Sequence, residues 1–219
     1  MLLIVSLPAN DALLASAAER AGADMLKVHL NVIHRASNNS FGSWNEEKAR
    51  ISEVLASANI PVGIMPGADI VASEEDWRDI SEAGIAFFDI YAHHMPAWMW
   101  RLPVKKMPAI AEIPPAPVLM NICRGSGGAK ADWLEASIIK PEDYGKPLTA
   151  GDLAAYRWIC ECVDTPVVIP TQKAITPENV PALSETGISA IMLGKIVTGD
   201  NAVSVESAVA RFRSVIDAP

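Results

Sequence analysis

Short apolar runs rich in Val and Ile alternate along the chain with stretches in which apolar residues recur every three to four positions. This is the pattern of buried strands followed by amphipathic helices. Eight such runs stand at 2–8, 24–31, 61–67, 85–93, 117–123, 137–140, 166–171 and 190–195. Helices are predicted at about 10–22, 45–58, 74–83, 97–112, 128–134, 149–163, 177–186 and 203–216. Asp11, Ser43, Ser73, Thr149 and Thr176 lie at or near helix starts, where a short side-chain oxygen accepts from an otherwise unpaired N–H, and Pro177 suits a first helical position. Eight strand–helix units without a composition break predict an α/β fold, a single-domain (β/α)8 barrel over 1–219. An open doubly wound sheet, which usually has fewer strands, is the alternative. Pro103, Pro108, Pro114, Pro115 and Pro117 make units four and five the least regular.

In such a barrel the chemistry belongs to side chains pointing inward near the strand ends that feed the following loops. Strict alternation sends Leu26, Val28 and Leu30 toward the helices and turns Lys27, His29 and Asn31 inward. In the fourth run Phe88 and Ile90 face outward, and Asp89, Tyr91 and His93 face inward. Asn121 and Cys123 are the inward residues expected of the fifth run, Lys140 of the sixth, Thr171 of the seventh and Ser6 of the first. A barrel built only for stability fills these layers with Val, Ile and Leu, because a buried charge is costly even when paired. The bland alternative is a structural Lys27–Asp89 ion pair in a wet core. A face assignment wrong by one residue would turn the whole set outward.

Composition narrows the function. The 219 residues are 50% hydrophobic and 20% charged, enough for a sizeable core. Eighteen Lys and Arg against 26 Asp and Glu give a formal charge of −8, and with no basic run this argues against a nucleic-acid partner. The apolar start at 1–5 lacks a basic leader and is broken by Asn10 and Asp11, so no membrane span is expected and the cytoplasm is the predicted location. Cys123, Cys160 and Cys162 read as free thiols, the last two pointing to different sides of a helix.

The last quarter carries the most specific signal: Pro170-Thr171-Gln172-Lys173, then Thr176-Pro177-Glu178-Asn179, then Gly194-Lys195. The loop after the seventh strand and the turn at Gly194 would aim backbone N–H groups and Lys195 at one spot, which attracts a phosphate. Over about 137–199 this stretch resembles the phosphate-binding TIM barrels, and among them 2-keto-3-deoxy-6-phosphogluconate aldolase, whose seventh unit reads Pro-Thr-Gly-Gly followed by Pro-Glu-Asn. N-acetylmannosamine-6-phosphate epimerases and thiamine-phosphate synthases share the layout. The resemblance implies a small phosphorylated substrate and a lysine at the end of the sixth strand that forms a Schiff base, the position of Lys140. Apolar Ile138 and Ile139 and nearby cations would favour its free amine, and the alternative is a loop lysine capping Glu142 or Asp143. Departures from the family accompany the likeness. Gln172-Lys173 replaces the glycine pair, no Phe-Pro follows Lys140, and Lys27 stands where the family carries a proton-moving glutamate. Asp89, His29 or His93 would then supply the base.

Arg35, in the long polar connection after strand two, is a candidate for a substrate carboxylate or phosphate, and Arg124, opening a glycine-rich stretch, is a second anion contact beside Asn121. Thr171, Gln172, Gly194 and Lys195 complete the predicted phosphate site. No cofactor or metal is expected. For a divalent metal, His29, Asn31 and Asp89 form a thin ligand set, although the histidines faintly resemble those of ribulose-phosphate epimerases. The Met- and Trp-rich 93–100 segment fits a buried helix or a homo-oligomer contact. Three functions are consistent with these residues: an aldolase-type lyase, a sugar-phosphate epimerase or isomerase, and a non-catalytic barrel that binds a phosphorylated metabolite.

Overall fold

Because each core strand is buried along nearly its whole length, both of its faces must be covered, by helices outside and by packed side chains within. In the computed structural model, which describes residues 1–34 and 39–218, the strands meet this demand by closing on themselves. In chain order they are β1 (Leu2–Ser6), β2 (Met25–His29), β3 (Val32–His34), β4 (Asn39–Phe41), β5 (Val62–Met65), β6 (Phe87–Tyr91), β7 (Lys105–Ile110), β8 (Leu134–Ala136), β9 (Val167–Pro170) and β10 (Ala190–Leu193). Eight are parallel and form a closed barrel in the order β1, β2, β5, β6, β7, β8, β9, β10, with β10 pairing back to β1. Only β3 and β4 stand apart, as an antiparallel pair in the connection after β2. The predicted (β/α)8 barrel is therefore the observed fold.

The outer ring comprises α1 (Ala12–Arg20), α2 (Trp44–Ser57), α3 (Glu74–Glu82), α4 (Ala116–Arg124), α5 (Ala150–Cys162), α6 (Val180–Ser184), α7 (Lys195–Thr198) and α8 (Ala202–Ile216). Asp11, Ser43, Ser73 and Thr149 take the N-cap positions of α1, α2, α3 and α5, and Thr176 caps a short 3-10 turn before α6. No helix among the described residues is long and apolar enough to cross a membrane.

Two units depart from the sequence pattern. The fifth barrel strand is β7, inside the stretch predicted as the 97–112 helix, while the predicted strand at 117–123 is helix α4. The reason is visible in the helix: Leu119 and Cys123, four apart, bury one face, Pro117 sits in the first turn, and Gly125 at φ +66° ends it. The sixth strand is 134–136 rather than 137–140, so the predicted 128–134 helix is absent. In the segment at 93–100, Met99 is fully buried in a 3-10 turn at Ala97–Arg101, which fits the buried alternative.

Register places the inward residues in tiers. Ile4, Met25, Phe87, Met107, Val168, Ala190 and Met192 form one apolar cluster, the floor of the barrel. Gly63 lies between Lys27 and Phe87 on neighbouring strands, and a Cβ there would come within 2.2 Å of the Phe87 ring. The missing side chain lets that ring fill the floor beneath the polar tier.

Candidate functional site

Above the floor the interior turns polar. Lys27, Asp89 and Glu135 project from β2, β6 and β8 and are 6%, 2% and 6% exposed. Lys27 Nζ donates to Asp89 Oδ2 at 2.5 Å and lies 3.5 Å from Glu135 Oε2. Burial works to strip the proton from Lys27, but the charges of Asp89 and Glu135 outweigh it and hold the ammonium above the ordinary lysine range. Burial, then the adjacent Asp89 carboxylate, pushes Glu135 well above the ordinary glutamate range, with Lys27 pulling the other way. One cation thus faces two carboxyl groups, and the second retains a proton more readily than a free glutamate does. Asp89 Oδ1 has no hydrogen-bond partner.

This cluster forms the base of a cavity of about 540 Å3 at the ends of the strands that feed the loops. Its wall carries Ser6, Asn31, Tyr91, Ser137, Tyr144, Thr171 and Gln172, and its mouth is edged by Ile33, Ile70, His93, His94 and Lys140. Asn31 is held at φ +49°, its amide donating to Pro66 O at 3.3 Å. His93 stacks on Tyr91 with ring centroids 5.4 Å apart, and partial burial followed by the neighbouring His94 lowers its pKa, leaving it neutral at pH 7. Burial and then the charge of Glu135 raise Tyr91 above the usual phenol range, so it keeps its proton.

The predicted residues fall into three groups. Lys27 and Asp89 meet in the polar tier, while Thr171, Gln172, Gly194, His93 and Lys140 also line the cavity, Lys140 at its exposed rim. His29 is inward but sealed off, 3.1 Å from Ser6 Oγ through Nε2 and packed on Phe41 at 4.8 Å. Lys195 lies outside the lining and pairs with Asp200 at 3.2 Å. Asn121 and Arg124 are a correction. Both are exposed on α4, outside the barrel, because the run that seemed a strand is a helix with its apolar face inward. Arg35 lies outside the described residues.

Glu135 is the member that sequence reasoning missed. Leu134-Glu135-Ala136 is a three-residue alternation, and the helix predicted over 128–134 hid it. Alternation counted back from Lys140, the inward residue expected of that run, falls on Ile138 and Ala136 and passes over it. Among the described residues, no group of three or more His, Cys, Asp or Glu side chains is placed to hold a metal ion.

In the turns after β9 and β10, predicted to aim backbone N–H groups and Lys195 at a phosphate, several polar groups bond one another. Gly194 N–H donates to Thr171 Oγ1 at 2.8 Å, and the Gln172 amide oxygen accepts from Ile139 N–H at 3.1 Å. Lys173 is buried beside Asp152 at 3.5 Å.

No protein-family model matches the chain, and no curated protein matches its sequence. Solved structures do match in fold. A 3-hexulose-6-phosphate synthase aligns over 98% of this chain and 99% of its own, with TM-score 0.66 and 16% identity. Phosphoribosyl anthranilate isomerase from Thermus thermophilus aligns over 98% and 100%, with TM-score 0.65 and 16% identity. Thiamine phosphate pyrophosphorylase from Pyrococcus furiosus aligns over 99% and 95%, with TM-score 0.63 and 15% identity. The likeness is one of architecture, the closed (β/α)8 barrel.

Proposed function

We propose that this barrel is an enzyme that moves a proton next to the carbonyl of a small phosphorylated sugar or keto acid, with Lys27, Asp89 and Glu135 as its acid–base group. The observation that carries this reading is the incompletely satisfied, buried cluster at the base of an open cavity. Burying such a cluster is unfavourable unless a ligand uses it, and the apolar floor one tier below shows what a purely structural interior looks like.

The roles follow from the protonation states. Lys27, held as an ammonium, is a poor nucleophile and a good partner for the negative charge that develops on a carbonyl oxygen when the neighbouring C–H proton leaves. Asp89, a lining residue whose buried Oδ1 has no hydrogen-bond partner, is the acceptor for that proton. Glu135, which keeps its own proton more readily, returns one to the product. The same enolate step serves an epimerase, an isomerase and the carbon–carbon cleavage of an aldolase. The phosphorylated class is supported by the fold neighbours, each named for a phosphorylated compound.

A Schiff base on Lys140 is the second reading, favoured by the place of Lys140 on the cavity lining. Lys140 is exposed at the rim, whereas Lys27 is buried at the base of the cavity.

Incubating the protein in deuterium oxide with a panel of sugar phosphates and 2-keto acids tests both. Deuterium entering substrate carbon, abolished in Asp89→Asn, is the expected result, and borohydride trapping of an adduct on Lys140 would shift the mechanism to the Schiff base. Ligand-dependent thermal stabilisation with neither exchange nor turnover would leave a non-catalytic binding barrel.

A further inference from the structure

On the cavity wall, neutral side chains form a hydrogen-bond chain whose direction is dictated by a backbone amide. Ile139 N–H donates to Gln172 Oε1 at 3.1 Å. A backbone N–H can only donate, so the amide oxygen must face it and the amide nitrogen must face away. That nitrogen donates to Ser137 Oγ and to Tyr144 Oη, each at 2.8 Å, so both of its protons are engaged. Ser137 Oγ in turn lies 2.8 Å from Tyr91 Oη.

Counting protons along this chain leaves a remainder. The Tyr91 and Ser137 hydroxyls own two protons, and only one can lie between their oxygens. Gln172 cannot accept the other, because it presents only donors on that side. Neither hydroxyl has a further partner among the described residues, and both residues line the cavity. One O–H is therefore uncommitted whichever of the two carries it, in a site where Ser137 is 5% exposed. Burial and the charge of Glu135 keep the Tyr91 phenol protonated, so the donor persists across the working pH range.

We propose that the Tyr91–Ser137 pair donates a neutral hydrogen bond to an acceptor oxygen of the ligand, a carbonyl, enolate or carboxylate oxygen, and that Gln172 is the positioning residue that fixes the direction of this donor. The inference rests on the proton-transfer reading and deepens it, because it names a second, uncharged contact for the oxygen that becomes negative. It also sets a selectivity: an analogue with an amine at that oxygen's place presents donor against donor.

Gln172→Glu tests the direction with little change of shape. A carboxylate only accepts, so it would draw in the Ser137 proton, commit the Tyr91 proton to Ser137, and leave no donor. The ligand-free readout is the 13Cζ resonance of Tyr91 in protein carrying labelled tyrosine, assigned by Tyr→Phe variants because the chain has only three tyrosines. The Gln172→Glu variant shifts that resonance at pH 7.5 and recovers the parent position as the pH falls and the new carboxylate is protonated. A resonance and pH response identical to the parent would overturn the proposal. The functional readout is kcat/KM for deuterium exchange with whichever panel compound the parent turns over. Tyr91→Phe and Ser137→Ala each lose less than about 5-fold, because the remaining hydroxyl still donates, whereas the double variant and Gln172→Glu lose about 100-fold, the scale of one oxyanion donor. A Tyr91→Phe loss as large as that of the double variant would assign the donor to the phenol alone and overturn the shared pair. A parent protein that exchanges no compound would sink the proton-transfer reading while the resonance test still decides the direction of the chain.

Discussion

The cavity has two chemically different ends. At its base, β2, β6 and β8 bring one ammonium against two carboxyl groups and leave Asp89 Oδ1 without a partner. Around β9 and β10, groups predicted to hold a phosphate are joined to other groups of the chain: Gly194 N–H to Thr171, the Gln172 side-chain amide to Ile139 N–H and the Ser137 and Tyr144 hydroxyls, and Lys195 to Asp200, while the adjacent Lys173 pairs with Asp152. Polar groups that complete one another lock a backbone in place, whereas buried groups left incomplete are arranged for something that is not part of the chain.

The strongest way to break this contrast is Lys27→Met. Removing the only cation from a buried pair of carboxyl groups is expected to destabilise the barrel by about 3–5 kcal/mol at pH 7 and to abolish deuterium exchange. Urea denaturation measures the first, and the penalty should shrink as the pH falls and Glu135, whose pKa burial and the Asp89 carboxylate raise, takes up its proton. A variant as stable as the parent at pH 7 would mean that the cluster is solvated, and the contrast between the two ends would vanish.

Glu135→Gln sharpens it. The folded pKa of Glu135 lies above the unfolded one, so its contribution to stability is full below the ordinary glutamate value of about 4.3 and is lost as pH rises through the folded value. Glutamine carries no such loss. The variant should gain on the parent between pH 4 and pH 8 by about 1.4 kcal/mol for each unit by which the site is raised. Parallel stability curves for the two proteins would show that Glu135 titrates normally.

A smaller effect is expected at the other end. Thr171→Ala deprives Gly194 N–H of its acceptor and should lower stability by about 1–2 kcal/mol with kcat nearly unchanged. If it raised KM for phosphorylated substrates far more than for unphosphorylated analogues, the phosphate would be seated there, and the turns would belong to the binding machinery after all.

The sequence disclosed these regions unevenly, for physical reasons. Alternation on β2 and β6 was legible because each run is long enough for period two to repeat, which put Lys27, Asp89 and Tyr91 inside. Runs of three or four residues carry too little periodicity, and β8 with its Glu135 is one of them. Strand β7 begins with Lys105 and Lys106 and contains Pro108, residues that discourage a strand reading; burial of the Lys106 stem, with its ammonium donating to Leu102 O and Val104 O, resolves the conflict only in three dimensions. The closing of the Gly194 turn by Thr171 is a contact across 23 residues that no local pattern encodes.

The mildest prediction concerns α4, where a helix was mistaken for a strand. Asn121 and Arg124 are exposed on its outer face, so Asn121→Ala and Arg124→Ala should each change stability by less than about 0.5 kcal/mol and leave deuterium exchange untouched. Leu119→Ala on the same helix is the control that keeps the test informative. Leu119 is fully buried in the layer between helices and barrel, and its loss should cost about 2–5 kcal/mol in urea denaturation, again with little effect on exchange once folded molecules are counted. A drop in exchange with Arg124→Ala but not with Leu119→Ala would contradict this placement, because the loop after α4 runs to the start of β8, where Asp132 N–H donates to Lys106 O at the barrel end away from the cavity.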